Sequence, residues 1–345
     1  MTATASTTTT GGALMRAEID QQPAVLQSLL HRRTIIDGIS REIQRRDVRF
    51  VLLAARGSSD HAALYAKYLV ETVLGLPCGL ASMSSLTGYQ ASSSMTGVLW
   101  IAISQSGGSP DLIEATSAAQ AAGAVTLAVT NAPTSDLARS AELHLDLGAG
   151  EEQSVAATKT YTAEILALWL LVNSWAGRQN PVAAGIPDVV ARAGDVDISE
   201  VADRYRYAGR ILTVGRGYSY PTACEAALKL METCHVAASA FSGADLLHGP
   251  VAHVDPTVSV VVISPGGVGG RLLRPVLEVV ADRGAEVCVV GDPDLGAGIA
   301  TPCIAEELTP LVQIVPLQRL ALELALARGL DPDRPRGLTK VTRTH

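Results

Sequence analysis

Short, unbroken apolar runs recur along this chain, and each stops on small polar residues. Phe50 to Ala55 runs into Arg56-Gly57-Ser58-Ser59, Val98 to Ile103 into Ser104-Gln105-Ser106-Gly107, and Ala124 to Thr130 (AVTLAVT) into a polar turn. None alternates apolar with polar. Runs of this length that are apolar on both faces read as strands buried on both sides, the signature of parallel sheets covered by helices. Between them lie longer stretches with helical periodicity, such as Asp111-Leu112-Ile113-Glu114-Ala115 onward.

The pattern repeats. Arg216-Gly217-Tyr218-Ser219 follows Ile211 to Gly215, 160 positions after Arg56-Gly57-Ser58-Ser59, and Ile263-Ser264 ends an apolar run 160 positions after Ile103-Ser104. Ala285 to Gly291 (AEVCVVG) then follows Ala124 to Thr130 at an offset of 161. Three landmarks in register favour an internal duplication over chance likeness. Each half reads strand, helix, strand, helix, strand, so the expected class is α/β with two tandem flavodoxin-like domains, each a parallel sheet flanked by helices. The first is placed at 35–180 and the second at 195–330, joined by a Pro/Gly/Asn-bearing linker from Gly177 to Pro187. Residues 2–12 (TATASTTTTGG) are of low complexity and predict a disordered tail over 1–13. A helical segment is assigned to 14–34, with helical pattern reaching 46 and Pro23 early in one helix. After Arg328, Pro332 and Pro335 stop any helix, so 331–345 is expected as an irregular arm.

Composition narrows the class further. Hydrophobic residues make up 48% of the 345 positions but aromatics only 4%, so the interior must be built from Ala, Val, Leu and Ile. A formal charge of −7, with no basic cluster interleaved with aromatics, argues against nucleic acid. The five cysteines (78, 224, 234, 288, 303) show no CxxC and no zinc spacing with histidine, so neither a disulfide framework nor structural zinc is expected. No apolar run is expected to reach membrane-spanning length and the N-terminus lacks a signal pattern, so the expectation is a cytoplasmic protein that does not enter a membrane.

The run Ser104-Gln105-Ser106-Gly107-Gly108-Ser109-Pro110-Asp111 carries the most chemistry. It sits between a strand and a helix start, where hydroxyls and free amide N–H groups face an anion on the helix N-terminus. The loop holds no Lys or Arg and no GxxxxGK[ST] pattern, which points to a phosphomonoester held by neutral donors rather than a nucleoside triphosphate. An ordinary βα turn is the alternative, since Ser and Gly are common in one.

In the second half, Thr222 to Thr233 (TACEAALKLMET) reads as a helix with Glu225, Lys229 and Glu232 at i, i+4 and i+7 on one face. By spacing alone this is a solvated face with an i,i+4 ion pair. Downstream, Phe241-Ser242-Gly243-Ala244-Asp245-Leu246-Leu247-His248-Gly249-Pro250 sets His248 before Gly-Pro on a loop, a setting that often serves function. His61, His144, His235 and His253 have no such setting and read as structural or surface groups.

Taken together, Ala55-Arg56-Gly57-Ser58-Ser59-Asp60, Ser104-Gln105-Ser106-Gly107, Val155-Ala156-Ala157-Thr158-Lys159, Ala227-Leu228-Lys229 with Glu232, His248-Gly249-Pro250 and Lys340-Val341-Thr342 resemble the double SIS (sugar isomerase) domain proteins. The chain is similar to the isomerase half of glucosamine-6-phosphate synthases. It looks closer still to stand-alone type II glucosamine-6-phosphate deaminases, through RGSSDHA, SGGSPD, ETC and KVT. The resemblance runs from about Met15 nearly to the end, with the motifs in order. It implies two tandem SIS domains and a sugar 6-phosphate held by Ser104, Gln105, Ser106 and Ser109, with Ser59 at the neighbouring strand end. Backbone groups near Val155 and Ala157 would hold sugar hydroxyls. Glu232 would move the proton between C1 and C2, with Lys229 acting beside it. His248 would assist ring opening from the partner subunit of a homodimer, and Lys340 would reach the open-chain sugar on the C-terminal arm. Neither a metal nor a cofactor is implied, since one base, one acid and cations for developing oxyanion charge suffice for this chemistry.

The reaction expected first is deamination with isomerisation of a hexosamine 6-phosphate. No glutaminase half is seen in these residues, so ammonia is not expected to come from glutamine. An N-acetylglucosamine-6-phosphate dehydratase is the alternative: an acylated nitrogen blocks imine formation and lets the C3 hydroxyl leave. Departures from the family pattern favour it, since Asp245 stands where Glu is usual, Leu247 where a basic residue is usual, and Ser239 where Glu is common. A non-catalytic sugar-phosphate sensor is a further alternative, weakened by the joint presence of Glu232, His248, Lys229 and Lys340. A redox role is weaker, because Gly266-Gly267-Val268-Gly269-Gly270 is not GxGxxG.

Overall fold

A computed structural model describes residues 11–340 apart from 92, 180 and 297. Three helices open the chain, α1 (Ala13–Asp20), α2 (Gln22–His31) and α3 (Arg33–Gln44). The first sheet and its helices follow as β1 (Phe50–Ala54), α4 (Ser58–Leu69), β2 (Cys78–Leu80), α5 (Met83–Thr87), β3 (Val98–Ser104), α6 (Pro110–Ala121), β4 (Val125–Thr130), α7 (Asp136–Ser140), β5 (Leu143–Asp146) and the long α8 (Lys159–Trp175). The second half comprises α9 (Ile186–Gly194), α10 (Ser199–Tyr205), β6 (Arg210–Gly215), α11 (Ser219–Cys234), β7 (Ala237–Ser242), α12 (Gly243–Leu247), β8 (Ser259–Ser264), α13 (Val268–Asp282), β9 (Glu286–Gly291), β10 (Ile299–Ala300) and α14 (Thr309–Ala327).

Both sheets are parallel and five-stranded, ordered β2-β1-β3-β4-β5 and β10-β9-β8-β6-β7. Read from the other edge, the second has the order of the first, which is the flavodoxin-like winding. The register matches too: Phe50 pairs with Val98 and Ile211 with Ser259, so the two central ladders have the same stagger. The duplication read from the apolar runs is therefore present in the hydrogen bonding itself. The short β2 (CGL) and β10 (IA), and the alanine- and serine-rich β7, carry too little apolar pattern to be legible in sequence.

The strands bury both faces. Along β3, Leu99, Ile101 and Ile103 enter the large central core, while Trp100 and Ala102 enter an outer core with Met83 and Leu112. The second sheet has its own outer core around Leu212, Val260 and Leu273. The central core is shared by the halves and joins Tyr65 of α4, Trp169 of α8 and Leu320 of α14. Helix α11 packs on α14 and on α4 of the first half. One expectation fails here. The segment Glu306–Ala327 is long and apolar enough to cross a membrane by length and composition, but 78% of its apolar window is buried inside the fold. It is apolar all round because it is a core helix.

Most of the disordered tail expected over 1–13 lies outside the described residues. Gly11 and Gly12 lead into α1, which already starts at Ala13. Helical structure continues to Gln44, past the 14–34 segment. The linker ends in structure: a 3₁₀ turn covers Pro181–Gly185, and Pro187 sits in the first turn of α9, where a missing N–H costs nothing. Residues 331–340 form an irregular arm without helix or strand, and 341–345, including Val341 and Thr342, lie outside the described residues. The arm is fastened at its start, where Asp333 accepts from Leu14 N (3.0 Å) and Met15 N (2.9 Å) and so caps α1.

Candidate active site

The carboxyl ends of β1 and β3 are where the order of the first sheet reverses, and ligands of such sheets bind outside that crevice. A cavity of about 340 Å³ opens there. Its walls include Ser59 from the start of α4, Ser104, Gln105, Ser106 and Ser109 from the β3–α6 turn, Val155 and Ala157 from the loop before α8, Glu232 from α11 and Lys340 from the arm. Nine of the residues singled out in sequence thus share one cavity.

The turn is shaped by its own polar groups. Ser104 Oγ accepts from Gly107 N (3.1 Å) and Ser106 Oγ from Gly108 N (3.3 Å). Gly107 holds φ +60°, and a Cβ there would collide with the Ser135 hydroxyl. Only glycine suits both demands. Ser109 is the N-cap of α6, yet its side chain makes no cap hydrogen bond, so its hydroxyl is not consumed by the helix.

The expectation of purely neutral donors needs correction. Arg56, at the end of β1, also lines the cavity. Its Nε and Nη2 lie 3.2 and 2.9 Å from Oδ2 of buried Asp111, which ties the end of β1 to the first turn of α6. No sequence spacing could show this, because the two residues are 55 positions apart and meet only through sheet order.

The solvated-face reading of Glu225, Lys229 and Glu232 is overturned. Glu225 and Lys229 are 0% exposed, because the side of α11 that carries them packs against α4 of the other half. Lys229 Nζ lies 2.6 Å from Glu232 Oε2 and 3.3 Å from Glu225 Oε1. It also donates to Ser58 Oγ (3.1 Å), which in turn donates to Glu225 Oε1 (2.9 Å). His61 Nδ1 is 2.8 Å from Glu225 Oε2, so this histidine is a structural group of the site rather than of the surface. Burial pushes the Lys229 ammonium down, but Glu225 and Glu232 outweigh it and leave its pKa raised. Burial likewise pushes Glu225 up, and Lys229, His61 and Ser58 bring it below the usual carboxylate range. Lys229 does not line the cavity; it stands behind Glu232, the member of the trio that does.

Two more carboxylates support the walls. Ser59 Oγ donates to Glu164 Oε1 (2.8 Å) on α8; Glu164 is 1% exposed, and burial lifts its carboxyl well above the ordinary range. Lys340 Nζ bonds Glu152 Oε2 (3.0 Å) and the Ser154 carbonyl (2.7 Å), holding the arm across the mouth with Leu338 and Thr339. Sequence reasoning missed Arg56, Ser58, Glu152, Glu164 and Leu338. Only Arg56 and Ser58 had a local signal, the RGSS turn after a strand.

His248 is not brought to this cavity. It is exposed after α12 and lines none of the walls supplied by its own chain. Asp245, Leu247 and Ser239 are exposed as well and line no part of it, so their departures do not change the pocket formed within one chain. Among the described residues no three His, Cys, Asp or Glu side chains converge as a metal site.

Comparison with known proteins agrees with this fold. The chain is 36% identical over 338 residues to a glutamine–fructose-6-phosphate aminotransferase (isomerizing) of Methanothermobacter thermautotrophicus, covering 94% of this chain and 56% of that protein. A protein of the same name from Xanthomonas campestris is 34% identical, with 94% and 58% covered. The chain thus spans somewhat over half the length of these curated relatives. Among solved structures, the C-terminal domain of glucosamine-fructose-6-phosphate aminotransferase from Francisella tularensis superposes with a TM-score of 0.85 at 25% identity, covering 93% of this chain and 98% of that one. A glucosamine-6-phosphate deaminase from Thermotoga maritima shares the fold, with a TM-score of 0.80 at 22% identity over 96% and 100% of the two chains. The SIS domain family matches residues 46–174 and 205–297, one segment in each half, and the chain belongs to that family.

Proposed function

We propose that this protein is an aminosugar-6-phosphate deaminase/isomerase that converts glucosamine 6-phosphate to fructose 6-phosphate and ammonia. One observation carries the reading: the Glu232 carboxylate lines the same cavity as the Ser104–Ser109 turn. The relatives named for fructose-6-phosphate and glucosamine-6-phosphate chemistry support a sugar phosphate as the guest. The cavity volume of about 340 Å³ suits a small-molecule ligand.

In this reading the 6-phosphate seats on the serine turn and the N-terminus of α6, and Arg56 adds positive charge at the rim. Anchoring the far end of the sugar places C1 and C2 beside Glu232 and makes proton abstraction effectively intramolecular. Glu232 takes the C2 proton of the open-chain aldehyde, giving an enolamine; protonation at C1 leaves an imine at C2. Water adds to the imine and ammonia departs, which balances the reaction without a redox partner. Lys340 supplies positive charge for the oxygen that gains electron density, and Lys229 holds Glu232 in place from behind. Backbone groups at Val155 and Ala157 hold hydroxyls. Ring opening needs an acid, and His248 of a second copy in a homodimer fills that role.

The test is ammonia release from glucosamine 6-phosphate by purified protein, with fructose 6-phosphate formed in equal amount. Interconversion of neutral hexose 6-phosphates without ammonia would make it an isomerase only. An ultraviolet-absorbing product from N-acetylglucosamine 6-phosphate would make it a dehydratase. Binding without turnover of any of these would make it a sensor.

A further inference from the structure

The second half repeats the first, but its phosphate position is already filled. Where the first half has the serine turn, the second has Ser264-Pro265-Gly266-Gly267 leading into α13. The two N–H groups that open that helix, Val268 N and Gly269 N, donate to Glu306 Oε2 (2.8 Å) and Oε1 (2.7 Å). A carboxylate of the chain itself thus occupies the anion position. Gly267 and Gly269 are needed for it, since a Cβ on either would meet the Glu306 side chain.

Beside this plug, at the carboxyl ends of β8 and β9, lies a separate cavity of about 180 Å³. Two of the side chains lining it are buried and carry a polar atom with no hydrogen-bond partner: Ser264 Oγ, in a residue 0% exposed, and Gln313 Nε2, in a residue 1% exposed. The amide of Gln313 is fixed in orientation, because its Oε1 accepts from Ser219 Oγ at 2.8 Å. Its NH₂ is left as a donor next to Gly291. Leaving a buried donor without a partner is costly, and a ligand oxygen would remove that cost. The rim carries the opposite chemistry. Asp292 and Asp294 line it, and Asp292 Oδ2 remains on the Gly266 side while Oδ1 accepts from Asp294 N.

We infer that this cavity is a second binding site, for a small neutral hydroxyl-bearing molecule such as an unphosphorylated sugar or polyol. Donors at the back and carboxylates at the rim call for groups that both accept and donate, and hydroxyls do both. A phosphate or carboxylate is disfavoured, because Glu306 holds the helix N-terminus and the two aspartates at the rim repel an anion.

The site carries its own reporter. Cys303 is exposed and lines the cavity, whereas Cys78, Cys234 and Cys288 are buried and Cys224 is half-buried. The experiment follows modification of Cys303 in the full chain by a chromogenic disulfide reagent, with Cys303→Ser identifying its phase. D-Glucose should slow that phase saturably, by about tenfold at ten times its Kd, since only the free fraction reacts. Inorganic phosphate should not. Asp292→Ala, at the rim, should weaken the protection without affecting folding, and Gln313→Met should abolish it. An unchanged rate at saturating glucose overturns the inference, as does equal protection by phosphate, or protection that survives Asp292→Ala undiminished. None of these outcomes depends on the reaction proposed for the first cavity.

Discussion

Lys229 Nζ stands 2.6 Å from Glu232 Oε2 and completes a buried chain that passes through Glu225 to His61 in the other half of the molecule. One ammonium therefore does two things: it compensates Glu225 in the interface between the halves, and it fixes the carboxylate that faces the cavity. Stability and chemistry meet on this side chain.

Glu232→Gln keeps the shape and the contact with Lys229 while removing the base. Turnover of glucosamine 6-phosphate should fall about 10²–10⁴-fold, the range for loss of a general base, with little change in ligand Kd. A comparable loss of binding, measured by titration calorimetry, would make Glu232 a binding group instead.

Lys229→Met should cost about 3–5 kcal/mol in denaturant unfolding, because Glu225 is left charged in a fully buried position. Adding Glu225→Gln should restore part of that loss. The sign for Glu225 follows from its lowered pKa: its contribution is present above the unfolded value and is lost as pH falls through the folded one. Acid unfolding of the double variant should accordingly be less steep than that of the wild type. If the second substitution adds its own full cost, the two groups are not coupled.

Glu164 has the opposite sign. Burial raises its pKa, so its carboxyl favours the folded state below the unfolded pKa, and that contribution is lost as pH rises toward the folded value. Glu164→Gln still offers Ser59 an acceptor but cannot titrate. Thermal unfolding from about pH 4 to about pH 8 should show the wild type losing stability relative to the variant, by up to about 1.4 kcal/mol per pH unit. A gap that stays constant across the window would show that Glu164 titrates alike in both states.

Lys340→Met should release the arm from Glu152 and Ser154. Proteolysis of the arm should quicken and kcat/KM should drop. Because the Glu152 side chain is 0% exposed, losing its ammonium should also lower the unfolding free energy, by less than the about 3–5 kcal/mol of a fully buried pair, since Thr158 N and Thr160 still donate to that carboxylate. An arm as resistant as the wild type's would mean that Asp333 and its bonds to α1 hold it unaided.

The place of His248 can be tested by mixing. Glu232→Gln and His248→Ala proteins, each inactive, should regain activity after subunit exchange if one subunit supplies the acid and the other the base. Confirmed hybrids without recovery would confine the site to one chain, where His248 does not reach the cavity.

Much of the molecule was legible because its signals are local. Apolar runs of five to seven residues leading into Arg-Gly, for β1 and β6, or ending on Ile-Ser, for β3 and β8, marked these strands, and their offset marked the duplication. The serine turn was readable for the same reason: a strand end, hydroxyls, a glycine and a helix start are contiguous. What the sequence alone determined, then, is the pair of wound sheets and the turn built to face an anion. Tertiary structure decided which polar groups are buried and with whom. Glu225 and Lys229 have the same i,i+4 spacing on a wet face as on a dry one, and only the docking of α11 on α4 makes the pair an internal charge network. Arg56 with Asp111, Glu306 on α13 and Lys340 with Glu152 are likewise contacts between distant positions, created when the strands took their order and the arm folded back. Desolvation and the partners that offset it belong to the packed chain, and no spacing along the sequence encodes them.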